Sequence, residues 1–318
     1  MDESREEQEA SSWTRRQDPR NLARSAAQVD LGAVERLVRR AIDERRTDDL
    51  DIVGYGEFSL AIRWSAPVGD DVVVKRVPPF RSSFDADEYV RVTEEYIAAL
   101  HGTDVPCLPT ELRQLGREDG AVVVFHIQPC LRPQELVSNI LRAGSPDDAH
   151  PALVAVIAAI GRAVRPGVAF DGQCSNWGWL DGDLRYLDLS TPMLLGDDGD
   201  LQFAQDGFAR EYPVIVRRLL DREARKFVPK YTELDFVLND FVALLHRDRL
   251  SQWCDAAIEA IRRIHGIDIS AETARSNFRS DARLYPFVHR LRLLQRFWLQ
   301  RTGRQYESLL PATSSYTV

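Results

Sequence analysis

The sequence predicts an α+β chain in two lobes, a small antiparallel sheet with one main helix followed by a mostly helical half. Short β-branched or aromatic runs, punctuated by glycine and proline, crowd into residues 51–77. One helical stripe and one more apolar run follow before Pro129 and Pro133. Beyond these prolines helical periodicity dominates, broken by brief extended pieces.

Residues 1–21 are rich in Glu, Arg, Gln and Ser around an isolated Trp13. That is too little apolar surface to offset ordering entropy, so a disordered tail is expected. Leu31, Val34, Leu37, Val38 and Ile42 follow the spacing of an amphipathic helix that braces the first lobe. Asp51–Phe58, Leu60–Ser65 and Val72–Val77 read as strands. Tyr89, Val92, Tyr96, Ile97 and Leu100 share one stripe of a helix spanning about 84–100, and Val122–Ile127 reads as a buried strand. Gln128–Arg132, with Pro129 inside it and Pro133 after it, reads as an extended interlobe hinge. Residues 22–128 thus form the N-lobe with its bracing helix, and 129–318 the C-lobe. The C-lobe is expected to hold helices near Glu135–Arg142 and Pro151–Val164, extended pieces around Val168, Trp177 and Tyr186, and helices over most of Phe208–Tyr306.

Bulk properties exclude several classes. At 318 residues, 44% hydrophobic and 28% charged, the chain has the composition of an ordinary globular protein. Its net charge of −8 argues against a general nucleic-acid binder, which displaces phosphate counterions with excess Lys and Arg. The most apolar stretch, Ala152–Ile160, is far short of the roughly 20 residues needed to span a bilayer. Met1–Ala10 is acidic and polar rather than basic and then apolar, so no secretory signal is read and the cytoplasm is expected. Cys107, Cys130, Cys174 and Cys254 form no C-x-x-C pair and read as free thiols. These patterns assign no oligomeric state.

The residues able to do chemistry appear in order. Gly54-Tyr-Gly56-Glu-Phe-Ser59 lies between two strands, where glycines let backbone N–H groups approach phosphates; a plain tight turn is the alternative. Lys75 stands in an otherwise apolar strand, and such an ammonium needs an anionic partner unless it merely guards a sheet edge. Glu88, Glu94 and Glu95 on the next helix could supply that partner; Glu94 and Glu95 flank the stripe, and the helical wheel does not choose between them. Asp171 and Asn176 have the D-x-x-x-x-N spacing that puts a base and a metal-ligand amide on one loop. An Asp181-Gly-Asp183 turn then brings Asp188 alongside Asn176, where two oxygens could hold magnesium. Each acidic or amide group could alternatively cap a turn. Trp177 and Trp179 could wall a substrate site or simply pack. Arg217, Arg218, Arg222, Arg225, Lys226 and Lys230 read as a solvated helix face, with recognition of an anionic substrate or a membrane surface as the alternatives, and His101, His126 and His246 as structural.

At these residues the chain resembles the protein-kinase-like superfamily, and more closely its small-molecule branch of aminoglycoside phosphotransferase and choline kinase type. The resemblance covers about 51–192. It implies a bilobal fold that binds ATP and magnesium and moves the γ-phosphoryl group to a hydroxyl of a small molecule. By it Lys75 would hold the α- and β-phosphates, paired with Glu94 or Glu95, and Gly54, Gly56, Ser59 and Gln128 would complete the nucleotide site. Asp171 would be the base, and Asn176 and Asp188 the magnesium ligands. The chain departs from the pattern where Ala169 and Phe170 stand in place of His and its neighbour, and Asp188-Leu-Ser in place of D-F-G. A nucleotide-binding module without catalysis, or a transferase of AMP, are the competing implications.

Overall fold

The computed structural model describes residues 18–55, 59–65, 69–202, 228–272, 274 and 307. The chain opens on α1 (Pro19–Ala27), with Pro19 in the first turn and the Asp18 carboxylate accepting from Arg20 N, and α2 (Leu31–Glu44), capped in the same way by Asp30 on Ala33 N. Residues 18–21, expected to be disordered, are ordered, because Asp18 supplies a cap and Leu22 and Ala26 find a surface to bury against. Residues before 18 lie outside the described residues.

Strands β1 (Ile52–Tyr55), β2 (Leu60–Trp64), β3 (Val72–Arg76), β4 (Glu111–Gly116) and β5 (Val122–Pro129) form one antiparallel sheet in the order β1-β2-β3-β5-β4. Between β3 and β4 runs α3 (Ser83–His101), started by Ser82 Oγ accepting from Asp85 N. β5 is buried along its whole length because both its faces are covered. Val123, Phe125 and Ile127 pack with Leu60, Ile62, Val72 and Val74 against α1 and α2, while Val122 and Val124 pack against α3. The bracing helix expected from the sequence is thus α2, and it covers the sheet's outer face.

Three details differ from the sequence reading. β4 was not anticipated, since Glu-Leu-Arg-Gln-Leu-Gly lacks β-branched residues and sits at the sheet edge, held by its ladder to β5. Gln128 and Pro129, expected in the connection after the strand, still pair with Val73 and Val72, so the strand runs two residues further than expected. One continuous apolar cluster also joins Val77 and α3 to the helical half, a link across residue 128 that the sequence reading did not give.

That half contains α4 (Val137–Ala143), α5 (Pro151–Ala163), the hairpin β6 (Trp177–Leu180) and β7 (Asp183–Tyr186), α6 (Leu234–Arg247) and α7 (Cys254–His265). The architecture is α+β, a five-stranded antiparallel sheet near the N-terminus followed by a mostly helical region. Among the described residues no helix is long and apolar enough to cross a membrane.

Candidate functional site

The expected residues converge on one stretch of backbone, 187–190. The β6–β7 hairpin turns on Asp181 and Gly182, both with positive φ (51° and 88°), the pattern of a two-residue type I′ turn. This fixes Trp177 opposite Tyr186. One step further, Leu187 N donates to Asn176 O at 2.9 Å, so the next residue, Asp188, emerges beside Asn176.

Lys75 reaches the same stretch from the sheet. It lies on β3, third of the five strands, between Ala61 and His126, which removes the edge-lysine alternative. Its Nζ donates to Leu187 O at 2.7 Å, and Gln128 Nε2 donates to that oxygen at 3.1 Å and to Thr110 Oγ1 at 2.9 Å. Burial holds the Lys75 pKa below its ordinary value, opposed by the charge of Asp188.

Asp171 is presented by a loop made rigid by aromatic donors. Tyr96 Oη donates to Ala169 O (3.3 Å), Tyr186 Oη to Asp171 O (3.1 Å) and Trp177 Nε1 to Gly172 O (3.2 Å). The Phe170 ring packs 4.7 Å from that of Tyr186 and 5.8 Å from that of Trp177. Packing thus supports the loop where the sequence lacks the histidine that the resemblance calls for. Asp171 Oδ1 accepts from Gln173 N at 3.0 Å. Burial above all, then the nearby Asp188 charge, push the Asp171 carboxyl up to about 6; the Gln173 amide, Arg247 and Asn176 act in the opposite direction.

Gly172 lets this loop lie against α5. A Cβ there would stand 2.7 Å from Ile160 Cδ1 and 2.9 Å from Ile160 Cγ1, and Ile160 is itself fully buried. Gly172→Ala is therefore expected to lose roughly 1–3 kcal/mol of stability by overpacking, measured by denaturant unfolding. A loss near zero would show that the loop is free to shift.

The remaining expected residues are placed unevenly. Ser59 Oγ lies 3.0 Å from Ser190 Oγ, which donates to Asp188 Oδ1 at 2.9 Å. Gly54 pairs with Ala61 and a Cβ on it would make ordinary contact, so packing does not require glycine there. Gly56 lies outside the described residues. The helix partner of Lys75 needs correction: Glu94 and Glu95 are both exposed, and Glu95 pairs with Arg91 at 2.6 Å. The stripe of α3 that faces the sheet carries Tyr89, Thr93 and Tyr96 instead, so neither glutamate forms an ion pair with Lys75. Trp177 is core, while Trp179 lines a pocket of ≈ 290 Å³ between α5 and the hairpin that includes none of Asp171, Asn176 and Asp188. In the basic stretch, Lys230 lies 5.7 Å over the Phe236 ring, and its other members fall outside the described residues. Sequence reading missed Tyr89, Ser190, Thr110 and Arg247 at this site; for the tyrosine, a hydroxyl in an otherwise apolar stripe was the available signal.

Among the described residues no three His, Cys, Asp or Glu side chains gather as a metal cage. A magnesium ion asks less, since it keeps waters and substrate phosphates and takes one or two protein oxygens. The residues present fit that demand. Among the described residues Asn176 Nδ2 is buried and makes no full hydrogen bond, though it is near enough to Asp171 to help hold that carboxyl down, and Asp188 Oδ2 accepts none. A phosphate oxygen would satisfy Asn176 Nδ2, and with the amide turned over its oxygen would meet a cation.

No curated protein matches the chain. A family model matches residues 33–296, a span holding both the sheet with its outer helix and the loops of Asp171, Asn176 and Asp188, and by that match the chain belongs to the family of unknown function DUF6206.

Proposed function

We propose that this chain binds ATP with magnesium and transfers the γ-phosphoryl group to a hydroxyl of a small molecule. The observation that carries the reading is the Leu187 peptide. Its oxygen takes the Lys75 ammonium and the Gln128 amide, and its N–H is held by the Asn176 carbonyl, so the residue next to it, Asp188, follows directly on a peptide that ties the sheet to the Asn176 loop. A bilobal kinase-like arrangement accounts for that convergence of sheet and hairpin.

In this reading Lys75 neutralises phosphate charge, and its lowered pKa reflects a site with little water around the ammonium. Asn176 and Asp188 would hold the magnesium, which when bound offsets charge on the phosphoryl group in flight. Asp171, ionised above about pH 6, accepts the proton of the attacking hydroxyl. Asp188-Leu-Ser is followed by Thr191 and Pro192, and no A-P-E segment follows, which favours a small acceptor over a protein.

Thermal unfolding with and without nucleotide tests this. ATP with magnesium at about a hundred times its dissociation constant should stabilise the chain by about 2.7 kcal/mol. Lys75→Met is expected to weaken ATP binding about tenfold or more, the worth of a charge-assisted hydrogen bond. The variant should still fold, because Leu187 O keeps the Gln128 donor. No shift of the wild-type chain at millimolar ATP would reject nucleotide binding. A second reading, nucleotide binding without transfer, is favoured by the absence of an α3 carboxylate on Lys75; it predicts the same shift with no phosphorylated product when hydroxyl compounds are screened with γ-labelled ATP.

A further inference from the structure

Ser190 is buried and bonded on three sides. Its Oγ lies 2.9 Å from Asp188 Oδ1 and 3.0 Å from Ser59 Oγ, its N–H lies 3.4 Å from Asp188 Oδ1, and its carbonyl accepts the Tyr89 hydroxyl at 2.9 Å. Counting protons gives the bonds a direction. The Ser190 hydroxyl gives its one proton to the carboxylate, so Ser59 donates to Ser190. The Tyr89 hydroxyl gives its proton to the Ser190 carbonyl, so the Tyr89 oxygen accepts from His126 Nε2–H at 2.8 Å. His126 therefore carries its proton on Nε2, and its Nδ1 is buried without a partner among the described residues. Burial and the Lys75 charge hold its pKa down to about 3, so the ring is neutral and Nε2 carries its one proton.

We propose that Tyr89, braced by His126, is the positioning residue that sets Asp188 for its cation: it fixes the Ser190 backbone so that Ser190 holds Asp188 Oδ1 and leaves Oδ2 to the ion. This rests on the reading of Asp188 as a magnesium ligand. Helix α3 is then tied to the site through a tyrosine on the Asp188 segment, where the sequence led us to expect a glutamate on Lys75. The Tyr89 ring is itself held from behind, 5.0 Å from Phe80, so its hydroxyl is aimed by packing.

The test is the ratio of ATP affinity measured with magnesium to that measured without it. Tyr89→Phe removes one oxygen and keeps the ring, and is expected to lower this ratio about tenfold, the usual scale of a lost outer-shell partner. Ser190→Ala, which keeps the carbonyl that Tyr89 holds, is expected to lower it similarly, and decides the matter if Tyr89→Phe does not fold. A purely structural role for Tyr89 would weaken folding and both affinities together, and would leave the ratio at the wild-type value. That result in a folded Tyr89→Phe chain, or in Ser190→Ala if the first variant does not fold, overturns the inference. A wild-type chain with no magnesium-dependent ATP binding overturns the functional reading beneath it.

Discussion

Asparagine in place of Asp171 is expected to slow phosphoryl transfer by about 10²–10⁴-fold, the usual contribution of a general base, while making the folded chain more stable at neutral pH. The second effect follows from the carboxyl being pushed from 3.8 up to about 6 by burial. Between those values the folded chain holds a proton that the unfolded chain has released. Stability therefore falls as pH rises through that window, and above it the folded state carries the full penalty of a buried charge. Asparagine removes the penalty and keeps an oxygen for Gln173 N. Its advantage in thermal midpoint should be absent near pH 4, grow up to about pH 6 and then stay level, while wild-type kcat/KM climbs over the same interval. Unchanged turnover would reject Asp171 as the base, and a midpoint difference independent of pH would reject its burial as the cause.

The largest stability loss is expected on the opposite face of the sheet. Arg76 donates to Glu35 through Nε (2.6 Å) and Nη2 (3.0 Å), and to Glu307 through Nη1 and Nη2; Arg117 meets Glu307 at 2.9 Å and Glu35 at 3.7 Å. All four side chains are at most 12% exposed. Glu35→Gln turns one acceptor into a donor facing two guanidinium groups and leaves buried positive charge in excess, a change that costs about 3–5 kcal/mol in comparable pairs. Denaturant unfolding should read that loss as a lower midpoint at unchanged m-value. Replacing Glu35 and Arg76 together by apolar residues should lose less than replacing Glu35 alone, because desolvation is then relieved on both partners. A loss under about 1 kcal/mol for Glu35→Gln would mean that water reaches the cluster.

How much of this was legible in the sequence depends on how far apart the partners lie. Asn176 and Asp188 could be paired because Asp181-Gly182 is a strong local turn signal and strand register follows from it by counting. Lys75 could be singled out because a charge in an apolar strand has few innocent explanations. The partner on α3 could not be read: a helical wheel shows which residues share a face but not which polar atom on that face meets the site. From the apolar stripe it is Tyr89 that reaches the Asp188 segment, with its hydroxyl on the Ser190 carbonyl. Nor did anything local mark Glu35 and Arg76, 41 positions apart, as a pair, since an ion pair of that separation leaves no periodicity. Gln128 was taken for hinge because Pro129 follows it, yet Pro129 closes the strand at its very end and leaves the pairing before it intact.

Lys75 and Arg76 are neighbours on a strand whose side chains alternate, so one is directed to the Leu187 carbonyl and the other to the carboxylates on the opposite face. A slip of β3 by a single position would exchange ammonium and guanidinium, leaving a short side chain to span the gap to Glu35 and Glu307 and a forked one against the Leu187 carbonyl. The ionic knot behind the sheet thus acts as a keyway: it admits the strand in one setting, and that setting is the one that aims Lys75.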